Sequence, residues 1–375
     1  MRRAFVVVLV VLGVWVTSGC VEKDPILIGL SVELTGKQAD IGINVRDAAQ
    51  MAVDEVNARG GIRGRPIELV IRDDQGNPEV ARRVDSELLS MGVVAIIGHY
   101  TSAQTEAVLD LMNQAGVVLI SPSASSSEFS GKDDYFFRLI PDTTFVGQKL
   151  AQHVAEYHQI RDVLVIYDAN NRSFSESYWH AFDTNFRERG GTTHLITYQG
   201  GKTDLKSIAA QIAEHSPESV LLIASAADTA VLAQYIRQSG SDAHLFASSW
   251  AQTNQLIEKG GQAVEGLELG AFYNQNNQNP AHVEFLQKFQ QRFKRVPQLG
   301  TSQAYEVVML LAKCLEVTDG KAAGLREALY AVRNFPGVLG PITFDAYGDV
   351  QRDVYILRIE NGQFVEHTVL LPDLP

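Results

Sequence analysis

The chain has 375 residues, a formal net charge of −12 and 45% hydrophobic residues. Such a length can bury two substantial cores and favours two domains over one. The acidic balance and the lack of any basic stripe speak against nucleic acid, whose phosphates need clustered Lys and Arg, and two cysteines, Cys20 and Cys314, cannot build a disulfide framework.

In chain order, Arg2 and Arg3 precede an apolar run from Phe5 to Val16. The run is too short for a span of roughly 20 residues but suits a signal-peptide core. The "TSGC" that follows resembles a bacterial lipobox. This implies removal of residues 1–19, lipidation of Cys20 and an acyl anchor at a membrane surface. The alternative is an ordinary secretory signal cleaved near Gly19.

Val45, Ala48, Ala49, Ala52, Val53 and Val56 share one face of a helix, which "RGG" (Arg59–Gly61) stops. "PIELVIRDD" reads as a strand, and Val80, Val84 and Leu88 mark a second helix. "VVAIIG" is a strand, Gln104–Asn113 a helix and "GVVLIS" a strand. This alternation predicts a parallel sheet with helices on both faces. The pattern restarts after "PDTTF" (Pro141–Phe145) with the helix "VGQKLAQHVAEY" and the strand "DVLVIY". A helix over Ser175–Arg189 and the strand "THLITYQ" follow. Asp204 caps a helix, "SVLLIA" is a strand, Asp228 caps the next helix and "HLFAS" closes the set. Three helices come next, at His282–Phe293, Ser302–Val317 and Ala322–Asn334, with Cys314 on an apolar stripe as a core residue. "NQNNQN" reads as a solvated loop. Asn361-Gly362 marks a terminal hairpin.

Enzyme signatures are missing. There is no G-x-S-x-G, H-E-x-x-H, C-x-x-C or G-x-G-x-x-G, and "GGKT" lacks the leading glycine of a phosphate loop, Ile196 standing there. The histidines are scattered. No enzyme activity, cofactor or metal is expected. What stands out instead is polar groups at strand ends, where open α/β sheets bind ligands. "GHYTSAQTE" offers Tyr100, Thr101, Ser102, Gln104 and Thr105, and "ISPSASSSEFSG" offers Ser121, Ser123, Ser125, Ser126 and Ser127. Each could be a cap, Ser102 for its following helix among them. Two clusters at neighbouring strand ends point to a carboxylate site made of hydroxyls and free backbone N–H groups at helix starts.

"LTGKQADIGINVRDAAQMAVDEVNARGGIRGRPIELVIRDDQGNPEVA", "AIIGHYTSAQTEAVLDLMNQAGVVLISPSASS", "YFFRLIP" and "GPITFDAYGDV" strongly resemble the leucine/isoleucine/valine-binding family, the type I periplasmic solute-binding proteins of ABC transporters. The resemblance implies two Rossmann-like α/β lobes joined by three crossovers, with the ligand in the cleft. One lobe would hold 24–140 plus 272–340, the other 141–271 plus 341–375. By position, Ser102 matches the serine for an α-carboxylate. Ser123, Ala124 and Ser125 match the segment touching carboxylate and ammonium. Phe174 falls near the aromatic that closes over the ligand, and Ile223–Asp228 matches another cleft loop. Tyr100 joins this set. Two departures stand out: Trp250 occupies the place of the usual acid, and Ile41 that of an aromatic. A buried ammonium without an acid is costly, so either Asp228 serves or the ligand is not a standard amino acid. Trp250 could stack on a flat ligand or simply pack the cleft wall. The implied function is an extracytoplasmic, lipid-anchored receptor that closes on a small organic carboxylate and presents it to an ABC permease. Reporting to a membrane histidine kinase or chemoreceptor, or envelope assembly, are the alternatives.

Overall fold

The structure, a computed structural model, describes residues 24–370. The expected signal peptide over residues 1–19 and the expected lipidation site at Cys20 lie outside the described residues.

The first lobe opens with β1 (Ile26–Val32), α1 (Ala39–Ala58), β2 (Ile67–Asp73), α2 (Pro78–Ser90), β3 (Ala95–Ile97), α3 (Ser102–Glu106), α4 (Leu109–Ala115), β4 (Val118–Ser121) and β5 (Phe136–Arg138). Its sheet is parallel, in the order β2-β1-β3-β4-β5. The expected apolar stripe of α1 is buried on one face of it. Ala81 and Leu88 of α2 pack on the other. One close approach fixes how α1 meets the sheet: a Cβ at Gly42 would lie 1.8 Å from the Glu33 carbonyl oxygen. Only glycine lets the two backbones touch there.

The second lobe contains α5 (Thr143–Gln152), β6 (Asp162–Asp168), α6 (Arg172–Glu188), β7 (Thr192–Tyr198), α7 (Leu205–His215), β8 (Ser219–Ile223), α8 (Ala226–Gln238), β9 (His244–Ala247), α9 (Asn254–Gly260) and β10 (Glu268–Ala271). The chain then returns to the first lobe for α10 (Pro280–Phe293), α11 (Thr301–Val317), α12 (Leu325–Tyr330), β11 (Phe335–Gly337) and β12 (Gly340–Ile342). It ends in the second sheet with β13 (Val354–Glu360) and β14 (Gln363–Leu370), giving the order β14-β13-β10-β9-β8-β6-β7. Asn361 (φ 52°) and Gly362 (φ 69°) are both left-handed, as a two-residue type I′ hairpin demands.

Several elements differ from the sequence reading. The helix expected over Gln104–Asn113 is two, α3 and α4, broken at a turn that keeps Val108 fully buried. The helix expected over Ala322–Asn334 shrinks to α12. Gly324 (φ 83°) delays its start, and Pro336 biases Phe335 to extended backbone past its end. "NQNNQN" is not simply solvated. Asn274 is buried, and Asn274, Asn277 and Asn279 each accept a backbone N–H two residues on, local turns that lead into α10. Ile342, Phe344 and Val350 pack in the first lobe's core while Val354 packs in the second's. The last crossing therefore falls beyond Val350, later than Gly340. Phe272 and Tyr273, just past β10, pack with Ile140 and Leu299 in the cluster that continues the second lobe's core into the cleft. Cys314 is a buried core residue, and burial pushes its thiol up to about 12.

Candidate functional site

The carboxyl ends of both sheets face one another. Tyr100 and Ser102 follow β3, Ser123 and Ser125 follow β4, and Phe174 and Trp250 come from the second lobe. All six line one small chamber of about 20 Å³, room for about one water. Thr101 and Asn171 line it too and also border a second chamber of about 280 Å³, which Trp250 shares. The second chamber carries Glu33 and Lys37 from the first lobe and Asp168 and Asp228 from the second. A larger hollow of about 490 Å³ lies on the far side of the first lobe, beside Arg59, Lys288 and Lys313. It touches no strand end of either sheet and has no wall from the second lobe.

The hydroxyls differ in what they have left to offer. Ser102 is not a cap: Thr101 holds the N-cap position, without a side-chain cap bond, and Ser102 Oγ accepts the Ser126 N–H at 3.2 Å. Its own proton is uncommitted. Ser123 Oγ donates to the Tyr100 carbonyl at 2.7 Å, so its proton is taken. Among the described residues no partner engages Thr101 Oγ1 or the Tyr100 hydroxyl, both buried. Buried polar atoms without partners are rare and call for an explanation such as a ligand or water. Ala124 departs from the expected set. It is fully buried in the first lobe's outer core and lines neither chamber. Its N–H and that of Ser123 donate to Ser121 Oγ, which in turn donates to the His99 carbonyl at 2.7 Å. Ile41 is buried in the helix-side core and lines neither chamber.

Beneath this loop lies a buried charged cluster. His99 Nδ1 is 2.7 Å from Asp74 Oδ2 and Nε2 is 3.0 Å from Asp85 Oδ2, all three being buried. A neutral imidazole can donate from only one nitrogen. Burial alone would lower the imidazole's proton affinity, but Asp85 and Asp74 together push it up to about 10.

The second chamber is acidic. Asp228 does not cap α8; Ser225 does, its Oγ accepting the Asp228 N–H at 3.3 Å. That leaves the Asp228 carboxylate for the Tyr198 hydroxyl at 3.1 Å and for Lys37 Nζ at 3.6 Å. Burial raises the Asp168 carboxyl; N–H bonds from Asn170 and Gly200 oppose this, and Asp228 adds to it. Burial likewise raises Glu33. Asp168 was missed in the sequence although it directly follows "DVLVIY" and ends β6, the position the strand-end rule singles out.

Contacts across the cleft hold the lobes together. Trp250 Nε1–H donates to Gln38 Oε1 at 2.7 Å, Ala103 N–H to Asn171 Oδ1 at 3.0 Å, and Ser126 Oγ–H to the Ser173 carbonyl at 2.8 Å. Phe174 meets Trp250 edge-on, centroids 6.0 Å apart, one of the preferred aromatic geometries.

A family model described as periplasmic binding protein matches residues 25–363. The chain belongs to that family. This periplasmic binding protein is of type I, with leucine/isoleucine/valine-binding proteins among its relatives. It is 27% identical over 373 residues to Leu/Ile/Val-binding protein homolog 2 of Brucella abortus, covering 93% of this chain and 95% of the relative. Its fold matches a leucine binding protein from Thermotoga maritima with a TM-score of 0.86 at 23% identity, covering 93% and 99% of the two chains. It also matches an ABC-transporter solute binding protein from R. palustris in complex with benzoate, with a TM-score of 0.83 at 19% identity over 93% and 98%.

Proposed function

We propose that this periplasmic binding protein is the extracytoplasmic receptor of an ABC importer and that it closes on a small α-amino acid. The observation that carries the reading is the pairing of two unlike subsites on either side of Trp250: partner-free hydroxyls at Thr101 and Tyr100 beside Ser102, and the acids Asp168 and Asp228. The first suits a carboxylate; the second suits an ammonium, which displaces Lys37 from Asp228. Ser125 completes the hydroxyl side, and Ser123 acts by holding the Tyr100 carbonyl. Phe174 and Trp250 cover the apolar part. The brucella relative's name supports a branched-chain ligand. The benzoate complex of the R. palustris neighbour supports a second reading, an aromatic acid against Trp250, but such a ligand leaves Asp168 and Asp228 without a cationic partner.

The small chamber is too narrow for either ligand, so entry requires the lobes to part. A ligand that swings such an equilibrium from mostly open to mostly closed must favour the closed form by roughly 5 kcal/mol. Bonds drawn from both lobes are its source. A thermal-shift screen of amino acids and aromatic acids is expected to select an amino acid. Calorimetry with that ligand is then expected to show Ser102→Ala binding roughly 10- to 150-fold more weakly, the worth of one hydrogen bond to a charged group. Unchanged affinity would remove Ser102 from the site. The same reading keeps the lipid anchor at Cys20. The full-length precursor is expected to partition with membranes in a bacterial host and Cys20→Ser to be released, whereas equal release of both would favour simple secretion.

A further inference from the structure

Four of the nine histidines in the sequence come together at the end of the second lobe remote from the cleft. His153 opens a π turn, His153–Tyr157, that follows α5, and His158 comes directly after it. The His158 N–H bonds the His153 carbonyl, five residues back. In a regular α-helix two residues five apart diverge around the axis; the wider turn brings both imidazoles to one side. Such π turns recur at functional sites. Both Nε2 atoms converge on a single oxygen of Glu268, at 2.5 Å and 3.0 Å. Glu268 opens β10, so its carboxylate lies at the amino end of the sheet, away from the ligand.

Two more imidazoles close in. His367 sits at the irregularity where β14 slips register against β13, Thr368 pairing Ile356 while Glu366 pairs Leu357. A bulge of this kind re-aims a side chain. Its ring is 5.5 Å from that of His153, and the ring of His244, at the start of β9, is 5.4 Å from that of His158. Tyr157 stacks on His153. One imidazolium suffices to neutralise a carboxylate; this one has two imidazoles on the same oxygen.

We propose that His153, His158 and Glu268 form a binding site for a zinc-like divalent ion, completed by water or by His367. Two imidazole nitrogens and one carboxylate oxygen are a donor set that zinc accepts with a fourth position open. The three ligand atoms already lie within 4.8 Å of one another. Tetrahedral bonds of about 2.0–2.2 Å place donors roughly 3.3 Å apart, so small side-chain rotations seat the ion. Binding needs the Nε2 lone pairs, so the proton of each neutral imidazole is carried on Nδ1 and any second proton leaves to solvent. The site bridges α5's end to β10 and is built independently of the ligand cleft.

The test is calorimetric titration of zinc chloride into the chelator-treated, full-length mature chain. One ion per chain at micromolar affinity is expected. His158→Ala and Glu268→Gln should each weaken it at least tenfold, while His194→Ala, an exposed histidine elsewhere in the lobe, should leave it unchanged. No binding by the parent chain, or equal affinity in both site variants, overturns the proposal. A second readout needs no variant: cobalt(II) in the parent chain should show the intense visible absorption of four-coordinate cobalt, and a weak six-coordinate spectrum overturns the tetrahedral site.

Discussion

Replacing His99 with leucine is expected to lower the unfolding free energy by about 3–5 kcal/mol, the cost of leaving buried carboxylates without their cation. Asp74 keeps one N–H, from Gly76, but among the described residues Asp85 Oδ1 already has no partner and its other oxygen is bonded by His99 alone. The double variant His99→Leu/Asp85→Leu should recover part of the loss, because the uncompensated charge is what destabilises the single one. Urea denaturation measures both. A single variant within 1 kcal/mol of the parent (about the net worth of an ordinary hydrogen bond) would show that the cluster is not ionised. The pH dependence has a definite sign. The folded imidazole is held up to about 10 against an ordinary value of 6.5. Its contribution is therefore complete below about 6.5, declines above that and is gone once pH rises through about 10. The parent's melting temperature should fall across that window more steeply than that of His99→Leu. Because the His99 carbonyl accepts the Ser121 hydroxyl that organises the serine loop, ligand affinity should fall in the variant as well.

Asp228→Asn is expected to weaken amino-acid binding by about 2–5 kcal/mol, roughly thirtyfold or more, the cost of removing one partner of a desolvated charge pair. Stability should change little: the cationic partner Lys37 is 55% exposed and such pairs contribute little, and the buried Tyr198 hydroxyl can donate to the amide oxygen in place of the carboxylate. The discriminating measurement compares L-leucine with its 2-oxo acid, which keeps the carboxylate and lacks the ammonium. The parent chain should prefer leucine strongly; in Asp228→Asn that preference should collapse while the oxo acid binds as before. Equal binding of both compounds by the parent would transfer the assignment to a carboxylate without ammonium. A variant that kept the full preference would move the ammonium to Asp168 or Glu33.

Much of this protein was readable in one dimension because its signals are local. The 3.6-residue stripe from Val45 to Val56, the buried strand runs at Val93–Gly98 and Ser219–Ala224, and the Asn361-Gly362 turn depend on neighbours in sequence, and each reappears as an element. The strand-end rule led to Tyr100, Ser102, Ser123 and Ser125, which do line one chamber. Other features depend on long-range geometry. Whether a hydroxyl is free depends on its partners: Ser123 lost its proton to a carbonyl that its own loop approaches, Ser102 did not, and Ala124 faced the core. Asp228 looked like a cap until Ser225 took that role.

The amino-acid sequence by itself determined the two α/β units, the hydroxyl-rich strand ends and the kinship with leucine/isoleucine/valine-binding proteins, since periodicity, turn residues and motifs are all properties of contiguous chain. Only the tertiary structure decided where the last crossing falls, that Asp168 and Asp228 share a chamber with Lys37, and that His153 and His158 meet Glu268 more than a hundred residues away. The physical reason is the same in each case: burial, charge pairing and donor availability belong to groups that folding brings together, and no local pattern along the chain encodes which distant partner arrives.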